Sequence, residues 1–357
     1  MPRWEATQLQ LECWPSVPEH IARAWDSADE LLLSAYQKDK TTLLLNDRYG
    51  ALLCAIPSAH VWADSAMAMA SSQRNLARNQ LTATGEFFLQ EEQIPNSITQ
   101  VLIKVPKQFE LLQFWLAALQ QRLPSHTQYH LAGMVKHWPV SWLNWLEQHG
   151  QDYQQSLISK KARRVTFTLA KAPPAPKNWL GYSYQGVQFE ALPGVFSRDK
   201  LDIGSRVLLS QPLQLTGSLC DLGCGNGLLG ISLAKRHALT EVHLTDDSFL
   251  ALRSAQKNAQ AAGVNAQFYH ANSLDALTKP VDWIVCNPPF HDGHKELTQI
   301  AQTMFEQSAS KLNKNGKLLV IANRHLPYLP MLRRLFKQVD SIGEDKKFSL
   351  YLCNHTG

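Results

Sequence analysis

No apolar run in this 357-residue chain approaches the roughly 18–20 residues that a membrane-spanning helix needs. The opening residues Met1-Pro2-Arg3-Trp4-Glu5 lack the basic-then-apolar layout of a secretory signal. Cysteine is sparse and scattered: the six at positions 13, 54, 220, 224, 286 and 353 form no Cys-x-x-Cys and no paired Cys/His spacing. That argues against the usual zinc frameworks and reads as reduced core thiols. The expectation is a cytoplasmic protein with no membrane contact and no metal. Charge is modest too, 18% of residues with a formal net +5, which favours a polyanionic partner only weakly. What the chain does have is 45% hydrophobic residues and a length that suits two ordinary domains. Its oligomeric state is not legible, and a monomer is compatible with it.

The stretch Lys171-Ala172-Pro173-Pro174-Ala175-Pro176-Lys177 carries three prolines and no apolar periodicity, so it reads as a linker. It sets a domain at 1–168, a connection at 169–178 and a second domain at 179–357. The two halves share a series of weak matches in constant order. Trp25-Asp26-Ser27-Ala28-Asp29 matches Leu201-Asp202-Ile203-Gly204-Ser205, and Ser72-Gln73-Arg74-Asn75 matches Ala255-Gln256-Lys257-Asn258. Val101-Leu102-Ile103-Lys104-Val105-Pro106 stands where Trp283-Ile284-Val285-Cys286-Asn287-Pro288 stands later. Lys136-His137-Trp138-Pro139 likewise matches Arg324-His325-Leu326-Pro327. Duplication of one domain explains the order. Within each half short apolar strands alternate with helical stretches, so the expected fold class is α/β: two tandem Rossmann-like domains, each a mostly parallel sheet with helices on both faces. In the second half strands are expected near 218–222, 241–245, 266–269, 283–286 and 317–322, with helices over 228–235, 248–262 and 297–312. Gly263 fits a helix C-cap, and 347–352 reads as a final antiparallel strand.

Two motifs carry chemistry. Asp221-Leu222-Gly223-Cys224-Gly225-Asn226-Gly227 is a glycine-rich turn between a strand and a helix. Glycines there leave room for a ligand lying across the backbone and permit positive φ. Asp246 or Asp247 follows the next strand, 19 or 20 residues after Gly227, where a carboxylate can accept from ribose hydroxyls; Asp246 directly follows the strand and is preferred. Asn272 stands after the third strand, placed to bond an adenine amine or to make an ordinary Asx turn. The second motif, Asn287-Pro288-Pro289-Phe290, closes the apolar run 281–286 about sixty residues further on. A planar amine is a poor nucleophile because its lone pair is delocalised. Acceptors on both N–H groups, the Asn287 side-chain oxygen and the Pro288 carbonyl, can aim that lone pair, and prolines stiffen the turn. Phe290 can stack on a base. Together the motifs describe methyl transfer from S-adenosylmethionine to an amino nitrogen, with no metal and no covalent nucleophile. His291-Asp292 can be read as an acid–base pair or as a solvated loop. A DNA amino group or a protein glutamine amide would need the same two acceptors, and a non-enzymatic RNA-assembly factor with a vestigial cofactor fold is a third reading.

Residues 179–357 resemble class I S-adenosylmethionine-dependent methyltransferases, in the bacterial ribosomal RNA guanine-N2 branch with duplicated domains. Val195-Phe196-Ser197-Arg198, Leu201-Asp202-Ile203-Gly204, the glycine loop and Asn287-Pro288-Pro289-Phe290-His291 carry that resemblance. Leu192-Pro193-Gly194 and Asp292-Gly293 are similar to the members acting on small-subunit (16S) RNA. Leu45-Asn46-Asp47-Arg48-Tyr49-Gly50, Leu102-Ile103-Lys104-Val105-Pro106-Lys107 and Ala322-Asn323-Arg324-His325-Leu326 are similar to the members acting on large-subunit (23S) RNA, and they span more of the chain. The resemblance implies that Phe196, Asp202 and Gly204 line the cofactor pocket or the entrance for the target base. It implies that Asp221, Gly223 and Gly225 flank the methionine part, Asp246 the ribose and Asn272 the adenine, while Asn287, Pro288 and Phe290 hold guanine.

The first half has Arg48-Tyr49 where the glycine loop should stand and Lys104-Val105-Pro106-Lys107 in place of the prolyl motif, so it is expected to bind no cofactor and to help grip RNA. Basic residues at 160–164, 324–325, 333–334 and 346–347 suit phosphates. Trp138, Trp142 and Trp145 lie at helical spacing and read as core. The expected substrate is naked or protein-poor 23S rRNA whose target base can be rotated out.

Overall fold

A computed structural model describes residues 3–16, 22–289 and 295–355, the side chains of 295–297 excepted. The chain divides into two compact units, Met1–Asn178 and Trp179–Gly357. In the first, a short hairpin of β1 (Arg3–Trp4) and β2 (Leu9–Gln10) precedes α1 (Ser27–Leu33). Then follow β3 (Thr42–Leu45), α2 (Ala51–Ala55), β4 (His60–Trp62), α3 (Ala66–Arg78), β5 (Phe87–Phe88), β6 (Gln100–Lys104), α4 (Phe109–Gln120), β7 (Gln128–Met134), α5 (Val140–His149), β8 (Gln151–Gln155) and β9 (Ala162–Thr168). The second unit repeats the sequence of elements. Its hairpin is β10 (Leu180–Tyr184) and β11 (Val187–Ala191), followed by α6 (Ile203–Leu209), β12 (Gly217–Leu222), α7 (Leu228–Arg236), β13 (Leu239–Asp246), α8 (Phe249–Ala262) and β14 (Gln267–His270). It ends with β15 (Val281–Cys286), α9 (Lys295–Lys311), β16 (Leu312–Asn323), α10 (Tyr328–Leu335), β17 (Gln338–Glu344) and β18 (Phe348–Asn354).

The first sheet runs β5-β4-β3-β6-β7-β9-β8 and the second β14-β13-β12-β15-β16-β18-β17, so corresponding strands occupy corresponding places. In each, five strands are parallel neighbours and the last two join antiparallel. Parallel strands need crossover helices, and with helices on both faces they read as unbroken apolar runs rather than alternating ones. That is why 219–222 and 281–286 are so apolar. Strand alternation then sorts side chains: Leu219, Val285 and Ile321 meet Ile231 and Leu252 of α7 and α8 in one core. Cys220, Ile284, Cys286 and Val320 meet Phe305 and Tyr328 of α9 and α10 in the other. Each such fully buried side chain contributes on the order of 1.5–3 kcal/mol. All six cysteines are buried and none is in a disulfide.

Each hairpin is tied down by one asparagine of the second crossover helix. Asn258 Oδ1 accepts from Glu190 N at 2.9 Å while its Nδ2 donates to Glu190 O at 2.7 Å and to Asn226 O at 2.8 Å. Asn75 repeats the arrangement on Glu12 N at 3.0 Å, Glu12 O at 2.9 Å and Tyr49 O at 2.9 Å. A buried amide with these bonds made is worth keeping, because losing one partner leaves the others desolvated.

The structure differs from sequence expectation at three places. The second sheet has an edge strand, β17, that is mostly polar and nowhere fully buried, with Val339 and Ile342 packed on the core. The hairpin β10–β11 turns through Gln185 and Gly186 at φ 48° and 76°. Trp138 lies ahead of α5 rather than on it and is buried. Trp142 and Trp145 are half-covered on the helix, against the Phe109 ring at centroid distances of 4.8 and 5.2 Å.

Candidate functional site

In an open parallel sheet, ligands bind beyond the C-terminal strand ends where the strand order reverses. In the second unit that point lies between β12, which carries the glycine loop, and β15, which carries Asn287. Asp221 is buried and its Oδ2 accepts from Gly230 N in the first turn of α7 at 2.7 Å. Burial pushes its carboxyl up to about 7, the Gly230 amide opposing and the Asp246 charge adding to the rise. Gly223 N and Cys224 N donate to Thr245 O at 2.8 and 3.0 Å, which binds the loop to β13.

Glycine at 223 and 225 is a matter of both backbone and space. Their φ values are 72° and 55°, a region costing an L side chain roughly 1–2 kcal/mol. Among the described residues, a Cβ on Gly225 would meet nothing within 4 Å, and one on Gly223 only Met304 Cε at 3.5 Å. The loop therefore faces open space. Gly227, by contrast, is needed for packing: a Cβ there would stand 2.7 Å from Ile231 Cδ1.

Asp246 ends β13 with a half-exposed carboxylate. Its Oδ2 accepts from Gly225 N at 2.8 Å and its Oδ1 from Ser248 N at 2.9 Å. The carboxylate thus shapes the glycine loop, which spacing alone did not reveal. Asn272 makes a turn, its carbonyl accepting from Asp275 N at 3.2 Å and its Nδ2 reaching Asp275 Oδ2 at 3.4 Å. Next to it Ser273 holds φ 55° and a buried hydroxyl with no partner.

On the other side, Asp202 caps α6, its Oδ2 accepting from Ser205 N at 2.8 Å and Ser205 Oγ at 3.1 Å. The Asn287 Nδ2 donates to Asp202 Oδ2 and to Ser205 Oγ, both at 3.4 Å. With its nitrogen so directed, Asn287 Oδ1 is buried and has no partner among the described residues. An orphaned buried acceptor costs about 1–3 kcal/mol, and a ligand N–H would recover it. Pro288 is buried, and Tyr328 Oη donates to Pro289 O at 3.3 Å, which fixes the prolyl turn from α10. Phe290, His291 and Asp292 lie outside the described residues. Phe196 is exposed at 55%. Gly204 is buried for packing, since a Cβ there would stand 2.7 Å from Ile321 Cγ2 and 3.3 Å from Phe348 Cδ1. Ser205, Ser273 and Tyr328 were not singled out from sequence. Only Ser205 left a trace there, as the N3 residue of a helix capped by Asp202.

Among the described residues, no group of three or more His, Cys, Asp or Glu side chains is placed to hold a metal, and no helix is long and apolar enough to cross a membrane. Of the basic clusters, Lys160 pairs with Glu30 at 2.9 Å and Arg164 donates to Leu31 O and Ser34 Oγ, each at 3.0 Å.

The Methyltransferase small domain family matches residues 186–352, and the RLMG N-terminal domain family matches 2–171. The chain is 33% identical to the ribosomal RNA large subunit methyltransferase G of Shewanella putrefaciens (strain CN-32) over 96% of its length and 95% of that protein. It is 36% identical to the protein of the same name from Stutzerimonas stutzeri (strain A1501), over 95% of each. Among solved structures, the T. thermophilus 16S rRNA N2 G1207 methyltransferase (RsmC) in complex with AdoMet and guanosine is 25% identical, with a TM-score of 0.78 over 93% of both chains. The chain belongs to the ribosomal RNA large subunit methyltransferase G family.

Proposed function

We propose that this protein transfers a methyl group from S-adenosylmethionine to the exocyclic N2 amine of a guanine in 23S ribosomal RNA. The observation that carries the reading is the unpartnered, buried Asn287 Oδ1 at the end of the strand beside an open glycine loop. The relatives named for large-subunit RNA share nearly the whole chain, which favours 23S over 16S RNA as substrate. Bound cofactor supplies an already activated, positively charged methyl donor. The residues present fit it: Gly223 and Gly225 leave room for the methionine part above buried Asp221, Asp246 takes the ribose and Asn272 the adenine. Phe196, Asp202 and Gly204 border the entrance. Asn287 Oδ1 and the Pro288 carbonyl accept from the two amine hydrogens and turn the nitrogen lone pair toward the donor. Phe290 stacks on the base. Asp202 and Ser205 hold the Asn287 amide so that its oxygen, not its nitrogen, faces the amine.

The first unit is proposed as a second Rossmann-like methyltransferase domain, of common origin with the first site's domain, that holds no cofactor and helps bind RNA. Asp47 Oδ2 accepts from Leu53 N at 2.9 Å, the third residue of α2, as Asp221 does from Gly230 of α7. Nine residues separate the second pair and six the first, so three residues of loop are missing, and with them any counterpart of Gly223 and Gly225. Lys104 Nζ fills the neighbourhood of the α1 cap, 3.3 Å from Asp26 and 2.8 Å from Asp29. A cytoplasmic location follows from the substrate.

The test is incubation with methyl-labelled S-adenosylmethionine and protein-free 23S RNA, 16S RNA, DNA and ribosomal protein in separate reactions. Label recovered as N2-methylguanosine from 23S RNA is expected. Label in 16S RNA alone would transfer the assignment to the small subunit, and label in none of the four would overturn it.

A further inference from the structure

A cavity of about 400 Å³ in the first unit is lined by Glu12, Trp14, Ser71, Arg74, Asn75 and Arg78, among others. It is within the range of roughly 300–1,000 Å³ usual for small-ligand sites. Ser71, Arg74, Asn75 and Arg78 stand at i, i+3, i+4 and i+7, so α3 presents them on one face. The Arg74 guanidinium lies 3.6 Å from the Trp14 ring centre. Arg78 pairs with Glu12, whose carboxylate also accepts from Ser16 Oγ at 2.8 Å. Two guanidinium groups thus face a single carboxylate, and the cavity is net positive. Inside it the Ser71 hydroxyl is buried, with the residue 1% exposed, and has no hydrogen-bond partner.

The second unit shows what this place looks like when closed. Asn258 and Glu190 correspond to Asn75 and Glu12 through the shared amide clamp, so Ser254 corresponds to Ser71 and Leu192 to Trp14. There the Ser254 hydroxyl donates to Leu250 O at 2.7 Å and accepts from Leu192 N at 3.1 Å, and Leu192 is buried. In the first unit both bonds are missing and a cavity bordered by Trp14 and Arg74 replaces the contact.

We propose that this cavity binds one nucleotide of a single-stranded stretch of RNA. A flat base suits the Trp14–Arg74 stack, since aromatic and guanidinium planes accept any base face. The guanidinium groups of Arg74 and Arg78 match a phosphate in geometry as well as charge. Ser71, in the cavity lining with a hydroxyl unpartnered among the described residues, can serve a sugar hydroxyl or base edge. An inorganic anion would leave Trp14 unused, and an apolar ligand would strand Ser71 and both arginines. The proposal rests on RNA being the substrate, but it concerns a site outside the glycine-loop unit and is read by binding rather than turnover.

The test uses the full chain and two probes, guanosine 5′-monophosphate and a short unstructured oligoribonucleotide bearing 4-thiouridine. Ultraviolet crosslinking followed by peptide mapping is expected to place oligonucleotide adducts on the peptide containing Trp14. Arg74→Ala should weaken oligonucleotide binding about tenfold, with S-adenosylmethionine affinity and melting temperature unchanged. Lys38→Ala, which removes an exposed charge elsewhere in the same unit, should leave RNA binding within twofold. Adducts confined to other peptides, or Trp14→Ala and Arg74→Ala both within twofold of the parent protein, would overturn the site. Binding of the monophosphate with no crosslink to the strand would overturn the RNA assignment in favour of a free nucleotide. Absence of methyl transfer alters none of these readouts, so the two proposals fail separately.

Discussion

At the scale of single residues, Asn287 has an oxygen with no partner and a nitrogen with two. Replacing it with alanine removes the acceptor without touching the glycine loop. Turnover of Asn287→Ala should fall about 10²–10³-fold, the usual loss for one preorganised charge-stabilising contact. Its S-adenosylmethionine dissociation constant, read by calorimetry, should stay within twofold; loss of cofactor binding or of the fold would make Asn287 structural. Asp221 makes a different prediction. Its carboxyl is raised from 3.8 to about 7 in the folded chain by burial, so the folded state binds a proton more tightly than the unfolded one. The stability this contributes is fully present below about pH 4 and is lost as pH rises to about 7. Asp221→Asn can still accept from Gly230 N. The stability difference between it and the parent protein should therefore shift in the mutant's favour across that interval, measured by urea midpoints; a flat difference would show that the group titrates normally.

At the scale of elements, the glycine loop separates room for a ligand from room for the fold. Gly225→Ala meets no atom of the described residues, so its melting temperature should fall by only the few degrees that about 1–2 kcal/mol of backbone strain implies. Cofactor affinity should fall tenfold or more. Gly227→Ala should do the reverse at first, losing stability through contact with Ile231 and activity only as a consequence. Thermal melts beside calorimetry on both variants distinguish the two. The loop, the strands that flank it and the Gly263 cap at φ 68° were legible in sequence because buried parallel strands give unbroken apolar runs and tight turns demand glycine. The edge strand β17 was not, since its two aliphatic residues, Val339 and Ile342, sit three apart across a bulge and so miss the two-residue strand period. Gly204 carries the same lesson at the site: sequence shows that a glycine is present, and only the structure shows that Ile321 requires it. Unpartnered atoms such as Ser273 Oγ and Asn287 Oδ1 leave no mark in a sequence, because they are defined by what fails to surround them.

At the scale of the whole molecule, two sheets with one strand order carry one intact glycine loop between them. Calorimetry should therefore give one S-adenosylmethionine per chain, and a stoichiometry of two would refute the proposed loss in the first unit. The amide clamps of Asn75 and Asn258 survive in both units although the loops beside them differ in length by three residues. In each unit the clamp reaches the turn through one backbone carbonyl, Tyr49 O or Asn226 O, so the turn can change length as long as that carbonyl keeps its place. Restoring a centre in the first unit would need a glycine segment that spares Tyr49 O, a new partner for buried Asp29 in place of Lys104, and the missing prolyl motif. One frame thus tolerates a chemically furnished turn in one copy and a bare one in the other.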